Sequence, residues 1–176
     1  MNPENRAWIH RRAEELMPFN KNMRVLEVGS YIVAGQEDIQ CRKTIPQLVD
    51  EFVGLDMRAG PGVDKVCDAK DMPEDWTDKF DVVICLDAFE HIDWPHKVMY
   101  EIGRVLKPGG LLYLATVFRF GIHDHPGDYW RFTPECIRML IEEGGLEVLE
   151  YGGSGGHDPK FHPVVVKGIG KKPCES

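Results

Sequence analysis

Four carboxylates stand at or just after short apolar runs: Glu27 in VLEVGS, Asp56 in GLDM, Asp68 in CDA and Asp87 in VVICLDAF. A hydrogen bond to a charged acceptor is worth about 1.5–3 kcal/mol, so such a set can hold a polar ligand. Packing alone gives little reason to repeat the arrangement. Close behind Asp87 come Glu90 and His91, and an imidazole there can take a proton near neutral pH, which makes His91 a candidate general base. The plainer alternative is that this segment caps and packs the next helix. Further on, FRFGIHDHPGDYWRFTP, residues 118–134, gathers aromatic and ionisable groups. His123, Asp124 and His125 have the types of metal ligands, but adjacent positions in one loop do not converge on an ion unaided, and no metal is expected. His123, His125, Tyr129, Trp130 and Arg131 are candidates for substrate contact. The last three also suit a loop anchor.

These groups need a frame that brings them together. Ile9, Ala13, Leu16 and Met17 recur at helical spacing within residues 4 to 17, with Asn2 and Pro3 as cap and first turn. Met23 to Ser30, the run ending at Asp56, Val63 to Cys67 and Phe80 to Leu86 read as strands, the last most clearly. Gln36 to about Thr44 is weakly helical, and Pro46 interrupts it. Val98, Ile102, Val105 and Leu106 mark one face of a helix that should stop at Lys107, Pro108 and Gly109, before a strand over Gly110 to Val117. Thr133 and Pro134 cap a helix through ECIRMLIEEGG, and Leu146 to Tyr151 and Pro163 to Ile169 close the chain as strands. Alternating strands and helices imply an α/β fold with a doubly wound, mainly parallel sheet and helices on both faces. In such a sheet ligands bind beyond the carboxyl ends of the strands, where the strand order reverses. All four carboxylates fall there.

With 176 residues there is material for one domain, residues 1–176, read as an N-terminal helix over 1–20 and a core over 21–170. Hydrophobic residues at 43% and charged residues at 28% fit a globular protein. No run of about 18 apolar residues spans a membrane, and the N-terminal residues lack a secretory apolar segment, so the expected location is the cytoplasm. The five cysteines form no CxxC pair and read as reduced. A formal net charge of -8 disfavours nucleic acid as a partner.

VLEVGS, GLDM, CDA, FDVVICLDAFEHI and RVLKPGG, in this order and spacing, resemble class I S-adenosylmethionine-dependent methyltransferases, especially small single-domain ones with an EHI-type fourth motif. The resemblance covers roughly residues 20 to 170, and DYWRFTPECIRMLIEEGG resembles one branch of the group. It implies a Rossmann-like sheet of seven strands with the last antiparallel, and S-adenosyl-L-methionine as cofactor. On that basis Asp56 would accept hydrogen bonds from both ribose hydroxyls. Glu27, Gly29 and Ser30 would line the methionine end, Met57, Asp68 and Ala69 the adenosine side, and Leu86 or Asp87 the floor. The family's turn reads approximately GxGxG, whereas here Gly29 is followed by Ser30, Tyr31, Ile32, Val33 and Ala34 before Gly35. That departure also argues against a dinucleotide dehydrogenase, which needs GxGxxG. The function implied is methyl transfer to a small-molecule or terminal-group acceptor. The alternative is a non-catalytic relative that keeps the fold and serves as a partner subunit.

Overall fold

The computed structural model describes residues 3–35, 41–43, 45–123, 127–160 and 162–174. Seven strands form one sheet: β1 (Arg24–Val28), β2 (Glu51–Asp56), β3 (Lys65–Val66), β4 (Phe80–Leu86), β5 (Leu106–Val117), β6 (Glu147–Ser154) and β7 (Val165–Lys171). Their spatial order is β3-β2-β1-β4-β5-β7-β6. The first five run parallel, and β7 lies antiparallel between β5 and β6. The chain runs outward from β1 to β3 and then returns to place β4 on the other side of β1. This reversal leaves a crevice at the carboxyl ends of β1 and β4.

Alternate residues of the central strands enter two separate cores, as the period of two requires. Leu26, Val28, Val83, Cys85, Leu112 and Leu114 face helices α2 (Pro95–Val105) and α3 (Pro134–Glu143). Val25, Val82, Ile84, Tyr113 and Ala115 face helix α1 (Pro3–Leu16), which contributes Trp8, Ile9 and Ala13. Enclosing each large apolar side chain contributes roughly 1.5–3 kcal/mol. Trp8 meets Tyr113 edge-on at 5.9 Å and donates its indole N–H to Glu150 on β6 at 3.2 Å, which fixes the roll of α1 on the sheet. Of the four apolar positions, Leu16 is exposed, whereas Met17, one residue on, packs against this core.

Two expectations are corrected. The weak helix over Gln36 to Thr44 is not formed where it is described: Cys41–Lys43 and Ile45–Gln47 are 3-10 turns, while 36–40 and 44 lie outside the described residues. Cys41, Ile45 and Val49 still insert into the core beside α1, so irregular chain covers that part of the sheet. The Lys107-Pro108-Gly109 signal does not end α2, which stops at Val105. The strand already begins at Leu106, and Lys-Pro-Gly forms an irregularity within β5, where the pairing with β4 jumps from Phe80↔Leu106 to Val82↔Leu111. Gly109 takes the left-handed φ of +80° that this bulge requires. The α2 carbonyl end is satisfied instead by the Asp78 and Lys79 N–H groups, which donate to Arg104 O at 3.1 Å and Val105 O at 3.0 Å, with Lys172 Nζ adding a contact to Arg104 O at 3.4 Å.

Thr133 accepts the Cys136 N–H at 3.2 Å and Pro134 opens α3, as a threonine cap and first-turn proline should. The two helices on this face touch at glycine: a Cβ at Gly103 would lie 2.0 Å from the carbonyl oxygen of Gly144. Gly103→Ala therefore forces backbone apart. Overpacking costs about 1–3 kcal/mol and alanine returns about 1 kcal/mol of helix preference; with backbone as the obstacle at 2.0 Å the cost falls at the upper end, so we expect a net loss of up to about 2 kcal/mol in urea unfolding. Gly121→Ala, where nothing lies within 4 Å of the new atom, is the control and should change stability by less than about 0.5 kcal/mol. Equal effects at both positions would remove the helix contact as the cause.

Candidate functional site

Beyond β1 the chain turns at Gly29, with φ of +79°, and the N–H groups of Gly29 and Ser30 both donate to Leu55 O, at 2.9 and 3.1 Å. A Cβ at Gly29 would lie 2.5 Å from Cβ of Ala88, so the glycine is demanded by the approach of the turn after β4. Ser30 points away from the crevice. Its side chain packs on Gly54, where an added Cβ would come within 2.7 Å of the serine oxygen, and among the described residues that oxygen has no hydrogen-bond partner. The serine in the glycine-rich turn is thus accommodated by a glycine on the neighbouring strand.

Asp56 closes β2 and is almost fully buried. Its Oδ2 accepts the Tyr31 N–H at 3.3 Å, and its Oδ1 accepts from the Arg58 backbone and Nε at 2.9 and 3.3 Å. The Arg58 guanidinium lies over the Tyr31 ring at 4.3 Å. After β3, Asp68 accepts the Lys70 N–H, and Lys70 Nζ spans to Asp93 at 2.7 Å. Asp87 takes an unusual left-handed φ of +50° and accepts from Asn5 Nδ2 on α1 at 3.2 Å.

These groups wall a crevice of about 540 Å³ whose lining includes Gly29, Asp56, Met57, Asp68, Ala69, Leu86, Asp87, His91, His123 and Tyr129. Glu27, Ser30, Trp130 and Arg131 are not in the lining, and His125, with Asp124, lies outside the described residues. Tyr31, Arg58, Lys70, Glu90 and Asp93 do line it, although the sequence reading did not single them out as site residues. For Glu90 the clue was its place in the FEH turn, one residue before His91.

The far wall is built by the 3-10 turn Phe89–His91 and the loop after β5. Glu90 has no exposed surface; Oε2 accepts the Thr116 hydroxyl at 2.6 Å, and Oε1 has no hydrogen-bond partner among the described residues. Burial pushes its carboxyl up to about 7, although the Thr116 bond opposes the shift. His91 Nδ1 meets Gly127 O at 2.5 Å, and burial draws this imidazole below its ordinary value. His123 packs edge-on against His91 at 4.7 Å between ring centres, and its Nδ1 lies 3.1 Å from Gly121 O and 3.2 Å from Asp128 Oδ2. The Arg131 guanidinium, bonded to both Asp128 oxygens, holds that carboxyl well below the usual range. The Tyr129 and Trp130 amides donate to Glu90 O at 2.8 and 3.3 Å, and Trp130 Nε1 donates to Ile92 O at 2.9 Å. Trp130 and Arg131 therefore anchor the loop, while Tyr129 reaches the crevice.

A family model described as a methyltransferase domain matches residues 1–143. Ubiquinone biosynthesis O-methyltransferase of Pseudomonas syringae pv. tomato is 39% identical over 51 residues, 29% of this chain and 22% of that protein. Its counterpart in Pseudomonas aeruginosa PAO1 is 38% identical over 64 residues, 36% and 28% of the respective chains. This chain thus matches about a quarter of the length of these relatives. Among solved structures, an S-adenosylmethionine dependent methyltransferase from Mesorhizobium loti superposes with a TM-score of 0.66 at 14% identity, over 92% of this chain and 96% of that one. A chain in the Haloferax volcanii complex of the Trm112 methyltransferase activator gives 0.69 at 22%, over 98% and 92%. The [4+2]-cyclase SpnF gives 0.69 at 16%, over 96% and 81%. At these identities the structures establish the fold alone. No helix among the described residues is long and apolar enough to cross a membrane.

Glu27 lies behind the crevice, 3% exposed on β1 with the parity of Val25. Burial raises its carboxyl from an ordinary 4.5 to about 7, against the pull of Arg42. Between these two values the folded chain keeps a proton that the unfolded chain releases. Stability therefore falls as pH rises through that window, by roughly 3 kcal/mol in all. Glu27→Gln should raise the urea midpoint at pH 8 and leave it nearly unchanged at pH 4.5. An identical effect at both would show that burying this charge is not what costs stability.

Proposed function

The chain belongs to the methyltransferase-domain family, and on that premise we propose that it methylates, in the cytoplasm, a hydroxyl of a small molecule or of the terminal group of a larger one, with S-adenosylmethionine as donor. The observation that carries this reading is one crevice with two unlike walls. Asp56, Asp68 and Ala69 stand on one side, and Glu90, His91 and His123 on the other. Its size falls within the range of small-ligand sites.

The residues present fit the cofactor. Asp56 offers about four lone-pair positions and uses three on Tyr31 and Arg58, so displacement of Arg58 Nε leaves two for the ribose hydroxyls. Asp68 and the Ala69 amide would hold the adenine, with Met57 and Leu86 as apolar walls and Asp87 as floor. Gly29 would lie along the methionine end, with Ser30 supporting the turn and Glu27 acting through water from behind it. When bound, S-adenosylmethionine supplies a methyl group on a positively charged sulfur, open to in-line attack by an acceptor oxygen.

The chain's own task is to orient that oxygen and exclude water, and orientation of this kind can contribute up to about 7–11 kcal/mol. Tyr129 and Phe120 border the acceptor side and His125 belongs to the same loop. Removal of the acceptor's proton is assigned to the Glu90–His91–His123 corner, where Gly127 O holds His91 in one ring orientation. The O-methyltransferase relatives support a hydroxyl as the accepting group. Trp130 and Arg131 shape the acceptor side by anchoring its loop.

Calorimetry with S-adenosylhomocysteine tests the cofactor half directly. Binding should be saturable, and Asp56→Asn should weaken it by about 10- to 150-fold, the equivalent of losing about 1.5–3 kcal/mol of charge-assisted bonding. If NAD binds instead, or if Asp56→Asn leaves the affinity intact, the assignment is wrong.

A further inference from the structure

The corner assigned to the acceptor's proton is built more elaborately than a general base requires. One ligand-type atom from each of Glu90, His91 and His123 lies within 4.8 Å of the other two. The residues come from two elements, the 3-10 turn after β4 and the loop after β5, so they converge where His123, Asp124 and His125 on one loop would not. We propose that Glu90, His91 and His123 bind a divalent transition-metal ion through one carboxylate oxygen and two imidazole nitrogens, and that the acceptor oxygen ligates this ion.

Three further contacts have the form of supports for metal ligands. Gly127 O fixes the His91 ring through Nδ1 at 2.5 Å, and Gly121 O and Asp128 do the same for His123, which makes Nε2 of each ring the nitrogen that would ligate the ion. Asp128 is in turn clamped by Arg131. On Glu90, Thr116 takes Oε2 at 2.6 Å, whereas fully enclosed Oε1, lacking a hydrogen-bond partner among the described residues, faces His91 Nε2 at 4.0 Å. A buried carboxylate oxygen beside two imidazoles calls for a cation, and a dication can meet all three groups at once. Two nitrogens and one oxygen suit zinc, iron, cobalt or manganese, whereas magnesium and calcium favour oxygen alone. Three protein ligands leave coordination positions open to the crevice.

With an acceptor hydroxyl at an open position, the ion lowers the pKa of that hydroxyl. Its proton leaves to solvent, the oxygen stays on the ion as an anion, and that oxygen is the nucleophile. His91 is then a ligand, not the base its position after Asp87 suggests. This catalytic use rests on the methyltransferase reading; ion binding itself does not.

The test uses chelator-treated full-length chain titrated with Co²⁺, followed by visible absorption and calorimetry, with Zn²⁺ as competitor. We expect one Co²⁺ per chain, displaced by Zn²⁺ but not by Mg²⁺. Glu90→Gln and His123→Ala should abolish the absorption, and Asp128→Asn, which acts through His123, should weaken binding roughly 10- to 100-fold. Asp56→Asn should leave it unchanged, and circular dichroism with a melting curve reports whether each variant is folded. Absence of saturable binding up to millimolar metal overturns the proposal. So does binding that survives His123→Ala but is lost in His157→Ala, since His157 and His162 stack elsewhere at 4.9 Å. If Co²⁺ binds as expected while S-adenosylhomocysteine does not, the ion site stands and the methyltransferase reading falls.

Discussion

The contact between the turns after β1 and β4 sets the geometry of everything at the carboxyl edge of the sheet. Gly29 and Ala88 sit so close that no side chain larger than hydrogen fits at 29, and the left-handed φ there bends the chain back toward β2. The same bend carries Tyr31 over Asp56 and aims Ser30 into the space above Gly54. On the other side, Ala88 is followed at once by the 3-10 turn that buries Glu90 and presents His91. Strand reversal creates a crevice in any sheet of this type. Here, the narrow join at its base decides which residues face into it.

Much of the architecture was legible because both faces of β1, β4 and β5 are buried, and burial on two faces writes itself as continuous apolar runs. Phe80 to Leu86 coincides with its strand residue for residue, and the Thr133-Pro134 start of α3 is where a cap and first-turn proline place it. The failures have physical causes. Leu106 looks like the last apolar position of a helix, yet pairing with Phe80 draws it into β5, and the glycine that would end the helix instead relieves a bulge. The covering of the sheet beside Cys41 and Ile45 carries no period, because single apolar residues on short turns suffice there.

The site was legible in part for the same reason. Carboxylates at strand ends stand out against apolar runs, and Asp56, Asp68 and Asp87 do line the crevice. Arg58, Lys70 and Asp93 were harder to see because their roles depend on partners brought in by turns. Lys70 matters only because Asp93, 23 positions away, lies within 2.7 Å. Likewise no local pattern ties His91 to His123. Their meeting depends on the loop after β5 folding back, which Arg131 and Asp128 enforce from outside the crevice.

One long-range contact gives the first helix a part in the crevice beyond covering the sheet. Asn5, fully buried on α1, donates to Asp87, 82 positions away, which among the described residues is the one non-glycine crevice residue held in a left-handed backbone. The α1 helix meets the sheet through a single face, so it is suited to detach as a cooperative unit below the free energy of global unfolding. Each such opening would take the Asn5 donor away from the Asp87 carboxylate. Whatever the crevice binds then draws on the docking equilibrium of a helix none of whose described residues lines the crevice, and occupancy would slow the exchange of α1 amides as well as of those around the ligand.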